Sequence, residues 1–133
     1  MLRLETVDEG MLREYPAVVL AYIGDAVFEL LVRRHIVTAG RRKVSEIHHD
    51  TVELVKAQSQ ASLTRQLYHE LSEEEQDIIK RGRNAKSTPP RHADPGDYKL
   101  STGFEALLGY LYLKGDEERL LYLVNQALDN NEM

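Results

Sequence analysis

Apolar residues recur at intervals of three and four along almost the whole chain, and the alternating β-branched pattern of a half-buried strand is scarce. A period near 3.6 buries one stripe of a helix, whereas a period of two buries one face of a strand. The chain is therefore expected to be all-α. Its 133 residues are enough to bury roughly two-thirds of the surface that the unfolded form exposes. A hydrophobic share of 42% and a charged share of 29% are ordinary for a globular domain and exclude wholesale disorder.

Local signals divide the pattern into helices. The first long one is expected from Pro16 to Ala39, since proline suits a first turn and Gly40 can take the left-handed C-terminal conformation. Its stripe reads Val19, Tyr22, Ile23, Ala26, Val27, Leu30 and Leu31. Ser45 is expected to cap a helix carrying Ile47, Thr51, Leu54 and Val55, with a kink near Gln58-Ser59 before Leu63, Leu67 and Leu71. Ser72 and Glu75 form a capping box for a helix starting at Glu73. Gly82 to Gly96 holds three prolines and two glycines and reads as a long connection. A helix from Tyr98 to Lys114 follows, ended by Gly115. Asp116 then caps a last helix that buries Leu120, Leu121, Val124 and Leu128.

Two of these helices each carry one acid in an otherwise apolar run: Asp25 in Ala21-Tyr22-Ile23-Gly24-Asp25-Ala26, and Glu105 in Phe104-Glu105-Ala106-Leu107-Leu108-Gly109-Tyr110. A carboxylate in such a setting costs several kcal/mol unless it is paired, protonated or bound to a cation. Two of them, 80 positions apart, point to helices that cross and share one cation. Oxygen ligands of this kind suit Mg2+, which keeps open positions for a phosphate oxygen and an attacking water. Gly24 removes a side chain where a second helix or a phosphate backbone must come close. The structural alternative is a salt bridge from each acid to Arg33 or Lys99. With no cysteine in the chain, disulfides and thiolate zinc sites are excluded. The N-terminus lacks a signal-peptide core and no apolar run approaches ~18 residues, so the expected location is cytoplasmic.

Net charge is −5, but the charges are segregated. Leu30 to Ser45 has no acid and five bases, Arg33, Arg34, Arg41, Arg42 and Lys43; Lys80 to Ala93 has no acid and five bases, Lys80, Arg81, Arg83, Lys86 and Arg91. Local patches decide which face attracts phosphates. In Arg81-Gly82-Arg83-Asn84-Ala85-Lys86, Arg81, Arg83 and Lys86 can reach successive phosphates, and Asn84 can address a 2′-hydroxyl or a base edge.

The segment Tyr22-Ile23-Gly24-Asp25-Ala26-Val27-Phe28-Glu29 resembles the signature helix of ribonuclease III catalytic domains. Phe104-Glu105-Ala106-Leu107-Leu108-Gly109-Tyr110-Leu111-Tyr112-Leu113 resembles the second acidic helix of that family, and Arg81-Gly82-Arg83-Asn84-Ala85-Lys86-Ser87 stands before it in the matching order, over about Leu20 to Leu123. The short Mini-III branch, without a double-stranded-RNA-binding domain, is the nearest in pattern. Residues 1–133 are accordingly expected to be one catalytic domain with no such module.

The resemblance implies a Mg2+-dependent homodimer that cleaves double-stranded RNA and matures the large-subunit (23S) ribosomal RNA precursor. It makes Asp25 and Glu105 the catalytic and metal-binding acids and Arg81, Arg83, Asn84 and Lys86 the RNA-binding row. Where longer relatives place two further acids this chain has Ala21 and Thr102, which would leave more waters on the ion. Aromatic residues beyond one stripe per helix, Tyr22, Phe28, Tyr110 and Tyr112, are candidates for a two-fold interface. A ribosomal protein is a candidate for presenting the substrate.

Two other readings compete. His48-His49-Asp50 with His35 and Asp97 could form an HD-type metal phosphohydrolase site, with imidazole ligands favouring a transition metal. A domain of the same fold could also bind RNA or a ribosomal partner without cutting. Whether Asp25 and Glu105 converge separates enzyme from binder.

Overall fold

The computed structural model describes residues 5–130, and among these there are helices and no strand. The helices are α1 (Glu9–Glu14), α2 (Ala17–Thr38), α3 (Val44–Val55), α4 (Ala57–Leu67), α5 (Glu73–Asn84), α6 (Pro95–Lys114) and α7 (Glu117–Asn130), with one 3-10 turn at Tyr68–Glu70. α6 is the axis: α2, α5 and α4 pack around it, and α1 and α7 lie against it at the edges. From Ser101 to Leu111 every residue except Glu105 is buried. A helix apolar on all sides is stable only inside others, and α6 is that helix. Phe28 of α2 and Phe104 of α6 meet edge to face at 5.7 Å in the core.

Most ends follow from local chemistry. Pro16 is the N-cap of α2. Both halves of the Ser72–Glu75 capping box are present, at 3.1 and 2.9 Å. Gly115, at φ 85°, closes α6, with Asp116 N–H returning to Leu111 O at 2.9 Å. Asp116 Oδ1 then accepts from Arg119 N–H at 3.2 Å, and the Arg119 fork grips the buried Glu75 at 2.7 and 2.9 Å, fastening α7 to α5. α1, which the sequence reading omits, is a six-residue helix capped by Asp8.

Several expected boundaries move, each for a visible reason. Gly40 is not left-handed; among the described residues only Gly115 has positive φ. Thr38 Oγ1 donates to Arg34 O at 2.7 Å and so satisfies a terminal carbonyl of α2 without a glycine cap. Ser45 is not a cap: α3 starts at Val44, and Arg42 straps its first turns through Glu46 at 3.5 Å and Asp50 at 2.6 Å. The α3–α4 break lies at Lys56 (ψ 153°) rather than at Gln58-Ser59. α5 continues through Gly82 to Asn84, because Gly82 lies where a Cβ would be 2.6 Å from Gly103 Cα of α6. α6 in turn begins at Pro95, capped by Asp94 on Asp97 N–H at 2.9 Å. The connection shrinks to residues 85–94.

The face that α2 buries also differs. It is Ala17, Leu20, Ala21, Gly24, Phe28, Val32 and Ile36, while Val19, Tyr22 and Leu30 of the expected stripe are exposed. Small residues decide it. A Cβ on Gly24 would stand 1.8 Å from Glu105 O, and one on Gly109 would stand 1.9 Å from Leu20 O, so the α2 and α6 backbones touch. Gly24→Ala or Gly109→Ala must push the two helices apart. Each should destabilise by ~3 kcal/mol or more, the upper end of overpacking, in denaturant unfolding. Gly40→Ala, with nothing within 4 Å and a negative φ, should be neutral or stabilise by up to ~1 kcal/mol.

Candidate active site

The backbone contact between α2 and α6 determines which side chains meet. Asp25 follows Gly24 directly, and Glu105 is the residue whose carbonyl Gly24 touches. The two acids are thereby brought together: Glu105 is half-buried and feels the charge of the Asp25 carboxyl. Burial first, and the Asp25 charge second, push the Glu105 carboxyl up to about 8. Asp25 is open to solvent. Arg33, a proposed neutralising partner, pairs instead with Glu29 at 3.0 Å.

A third residue stands behind them. Gln60 of α4, 3% exposed, donates through Nε2 to Glu105 Oε2 at 3.2 Å and to Val55 O at 2.7 Å. Its Oε1 is buried with no protein partner among the described residues. Sequence reading missed Gln60, although the signal was there: it is the one amide in the buried series Gln60, Leu63, Thr64 and Leu67.

Two adjoining carboxyl groups, one held protonated by burial and its neighbour's charge, with an orphaned amide oxygen at hand, fit a hydrated hard divalent cation. A cation would relieve the like-charge repulsion that raises Glu105. Among the described residues no group of three or more His, Cys, Asp or Glu could hold an ion, and the crossing brings together the two carboxyl groups alone. Thr102 and Ala21, where longer relatives carry acids, are buried; Thr102 Oγ1 donates to Tyr98 O at 3.0 Å within its own helix.

The basic row is not the loop expected. Arg81, Gly82, Arg83 and Asn84 form the last turn of α5, and Lys86 follows it. Arg83, Asn84 and Lys86 are exposed, whereas Arg81 is half-buried and gives one Nη2–H to Tyr15 O at 3.0 Å, tying α5 to the end of α1. Arg83 Nε donates to Asn84 Oδ1 at 3.3 Å. The HD-type cluster does not assemble: Asp50 is taken by Arg42 at 2.6 Å and Asp97 by Arg65 at 2.8 Å, with His48 and His49 exposed. Of the proposed interface aromatics, Phe28 and Tyr110 are core residues, the latter donating to Glu74; Tyr22 is 82% exposed.

The raised Glu105 has a consequence for stability. Its folded-state value lies above the unfolded one, so its contribution is intact below about pH 4.5 and is lost as pH rises toward about 8. In metal-free protein, Glu105→Gln should therefore raise the thermal midpoint at pH 8 and leave it nearly unchanged at pH 4.5. Equal midpoint differences at both values in calorimetry would contradict the burial and charge account.

Comparison with known proteins points the same way as the geometry. The ribonuclease III domain description matches residues 18–116, which contain Asp25, Glu105 and the basic row. Mini-ribonuclease 3 of a Thermoanaerobacter species is 51% identical over 84% of this chain and 79% of its own length. Mini-ribonuclease 3 of Symbiobacterium thermophilum is 45% identical over 86% and 88%. The crystal structure of protein FN1578 from Fusobacterium nucleatum superposes with a TM-score of 0.83 at 30% identity, covering 88% of this chain and 96% of that one. With a family match over most of its length and a helical core that brings two acids to one point, the chain belongs to the ribonuclease III family of double-strand-specific endoribonucleases.

Proposed function

We propose that this protein uses Mg2+ to hydrolyse both strands of an RNA duplex, working as a homodimer in the cytoplasm on the large-subunit (23S) ribosomal RNA precursor. The observation that carries the reading is the meeting of Asp25 and Glu105 at the α2–α6 crossing. These two residues would hold the ion, and the open side of Asp25 is where a scissile phosphate can arrive. A bound Mg2+ supplies Lewis-acid polarisation of the phosphodiester and a water made nucleophilic near neutral pH. Half-buried Glu105 sets its carboxylate in a low-dielectric wall, where electrostatic interactions exceed those in bulk water.

Exposed Arg83, Asn84 and Lys86 are placed to meet the RNA backbone, joined by the remaining N–H groups of Arg81. Duplex RNA is recognised mostly by shape and by 2′-hydroxyl and phosphate contacts across its shallow minor groove, which suits a short row of bases and an amide. Such contacts position the duplex and carry little sequence information. A ribosomal protein presenting the precursor would supply the missing choice of site.

Support for a homodimer comes from the outer side of α2. Ile23, Val27, Leu30, Tyr112 and Leu121 line an apolar groove of about 800 Å³ between α2, the end of α6 and α7. Leu30 is 66% exposed there, and Leu121, expected in the core, is half out as well. A contiguous apolar surface of this kind marks an interaction site. A second copy placing the same surface against it would bury both.

Two experiments test the reading. Long duplex RNA should be cut with Mg2+ and left intact without it, and a DNA duplex should survive both conditions. Asp25→Asn or Glu105→Gln should lower cleavage by ~10³-fold or more without lowering thermal stability, and near-normal cleavage by either would falsify the assigned acids. For assembly, the wild type should sediment as a dimer at micromolar concentration and Leu30→Asp as a less active monomer. A fully active wild-type monomer would overturn the homodimer.

A further inference from the structure

We propose that Gln60 is a positioning residue of the metal site: its carboxamide holds Oε2 of Glu105 and leaves the other carboxylate oxygen to serve as the ligand. The inference rests on the reading of Asp25 and Glu105 as the metal-binding pair.

The local fold explains how an amide comes to be fixed there. At Lys56 the backbone turns extended, so α3 ends and α4 begins one residue later. Gln60 N–H then bonds Lys56 O at 3.2 Å, and the Val55 carbonyl is left without a helical donor. Gln60 Nε2 supplies one at 2.7 Å and spends its second hydrogen on Glu105 at 3.2 Å. Both donors of the amide are used. Turning the carboxamide over would set Oε1 against the Val55 carbonyl, which can only accept, so that bond fixes its orientation. Gln60 is held further from behind, since Thr64 Oγ1 donates to its carbonyl at 2.7 Å.

Packing alone does not account for this choice. The other buried positions of α4 are Ala61, Leu63, Thr64 and Leu67; Thr64 satisfies its hydroxyl on the Gln60 backbone carbonyl, and an apolar side chain at 60 would leave no amide to desolvate. Nor would a base serve: Lys or Arg in its place would neutralise Glu105 and displace a cation. A neutral donor orients the carboxylate without competing for the site. Partners that orient a metal ligand are typically worth about 10–100-fold in metal affinity or activity. Oε1 of Gln60, buried and without a partner among the described residues, remains as an acceptor for a further donor, such as a water.

The test uses the full chain without RNA. Mn2+ binding is measured by titration calorimetry for wild type, Glu105→Gln and Gln60→Met, the last matching Gln in length while removing both donors. Gln60→Met should bind Mn2+ about 10–100-fold more weakly. Its KM for duplex RNA should stay near wild type, and raised Mg2+ should restore kcat, which a merely structural role would not produce. Folded Gln60→Met with wild-type Mn2+ affinity overturns the proposal. Should that variant not fold, Gln60→Asn, one methylene too short to hold both partners, is read by the same criterion. Undiminished Mn2+ binding by Glu105→Gln would overturn the metal-pair reading itself; lost binding there with normal binding by Gln60→Met overturns only the role of Gln60.

Discussion

Everything functional in this molecule depends on the backbones of α2 and α6 touching. At Gly24 and Gly109 a methyl group would lie within 2 Å of a carbonyl oxygen of the opposite helix. Each glycine weakens its own helix by ~1 kcal/mol relative to alanine, and the close packing of Leu20, Ala21, Phe28, Phe104 and Leu108 around the crossing offsets this loss. The reciprocal pattern is specific. Gly24 meets Glu105 and Gly109 meets Leu20, so the helices can neither slide nor rotate without a clash. Asp25 and Glu105 are consequently neighbours by construction rather than by side-chain flexibility.

That geometry forces two carboxyl groups together in a place where one is half-buried, and among the described residues no base is paired with Glu105. Arg33 turns to Glu29, Arg65 to Asp97 and Arg119 to Glu75. The last of these shows what the chain does when an acid is only structural: Glu75 is buried, yet the fork of Arg119 and the Ser72 cap outweigh desolvation and keep its carboxyl below the usual range. Glu105 receives one neutral amide instead, and stays raised. A buried acid and a half-buried one on the same molecule are thus treated in opposite ways, and the one left unbalanced is at the crossing. Carboxyl groups perturbed by burial and a like charge gather at functional sites, which agrees with the proposed cation site at the crossing.

Much of this was legible in the sequence. The all-helical reading, the Ser72–Glu75 box, the Gly115 terminus and the pairing of Asp25 with Glu105 all rest on residues whose roles are local or chemically distinctive. What failed were judgements that depend on a neighbour. The buried face of α2 was misread because large apolar residues draw attention, while a close crossing selects small ones. Gly82 looked like the start of a loop, but it is the second place where a helix must approach α6 within reach of backbone, against Gly103. Ser45 lost its role as a cap to the Arg42 strap, which spans eight positions and has no short-range pattern. Gln60 was overlooked because only the partner helix shows why a buried amide is there.

The misread stripe has its own meaning. α2 is apolar on two adjoining faces; the one with small residues is fully buried, while on the other Val27 and Leu31 pack only partly against the core and Leu30 stays exposed. Leu30, at 66% exposure, lies with Ile23 and Val27 along the apolar groove, and Tyr22 at 82% and Asp25 are open to solvent on the same helix. One helix therefore carries both the acid and the apolar surface. If a second copy covers that surface by two-fold symmetry, the same α2 that positions Asp25 against Glu105 also fixes the distance between the two acid pairs of the assembly. The separation between cuts on opposite strands would then be set by helix packing, and not by how the RNA is gripped.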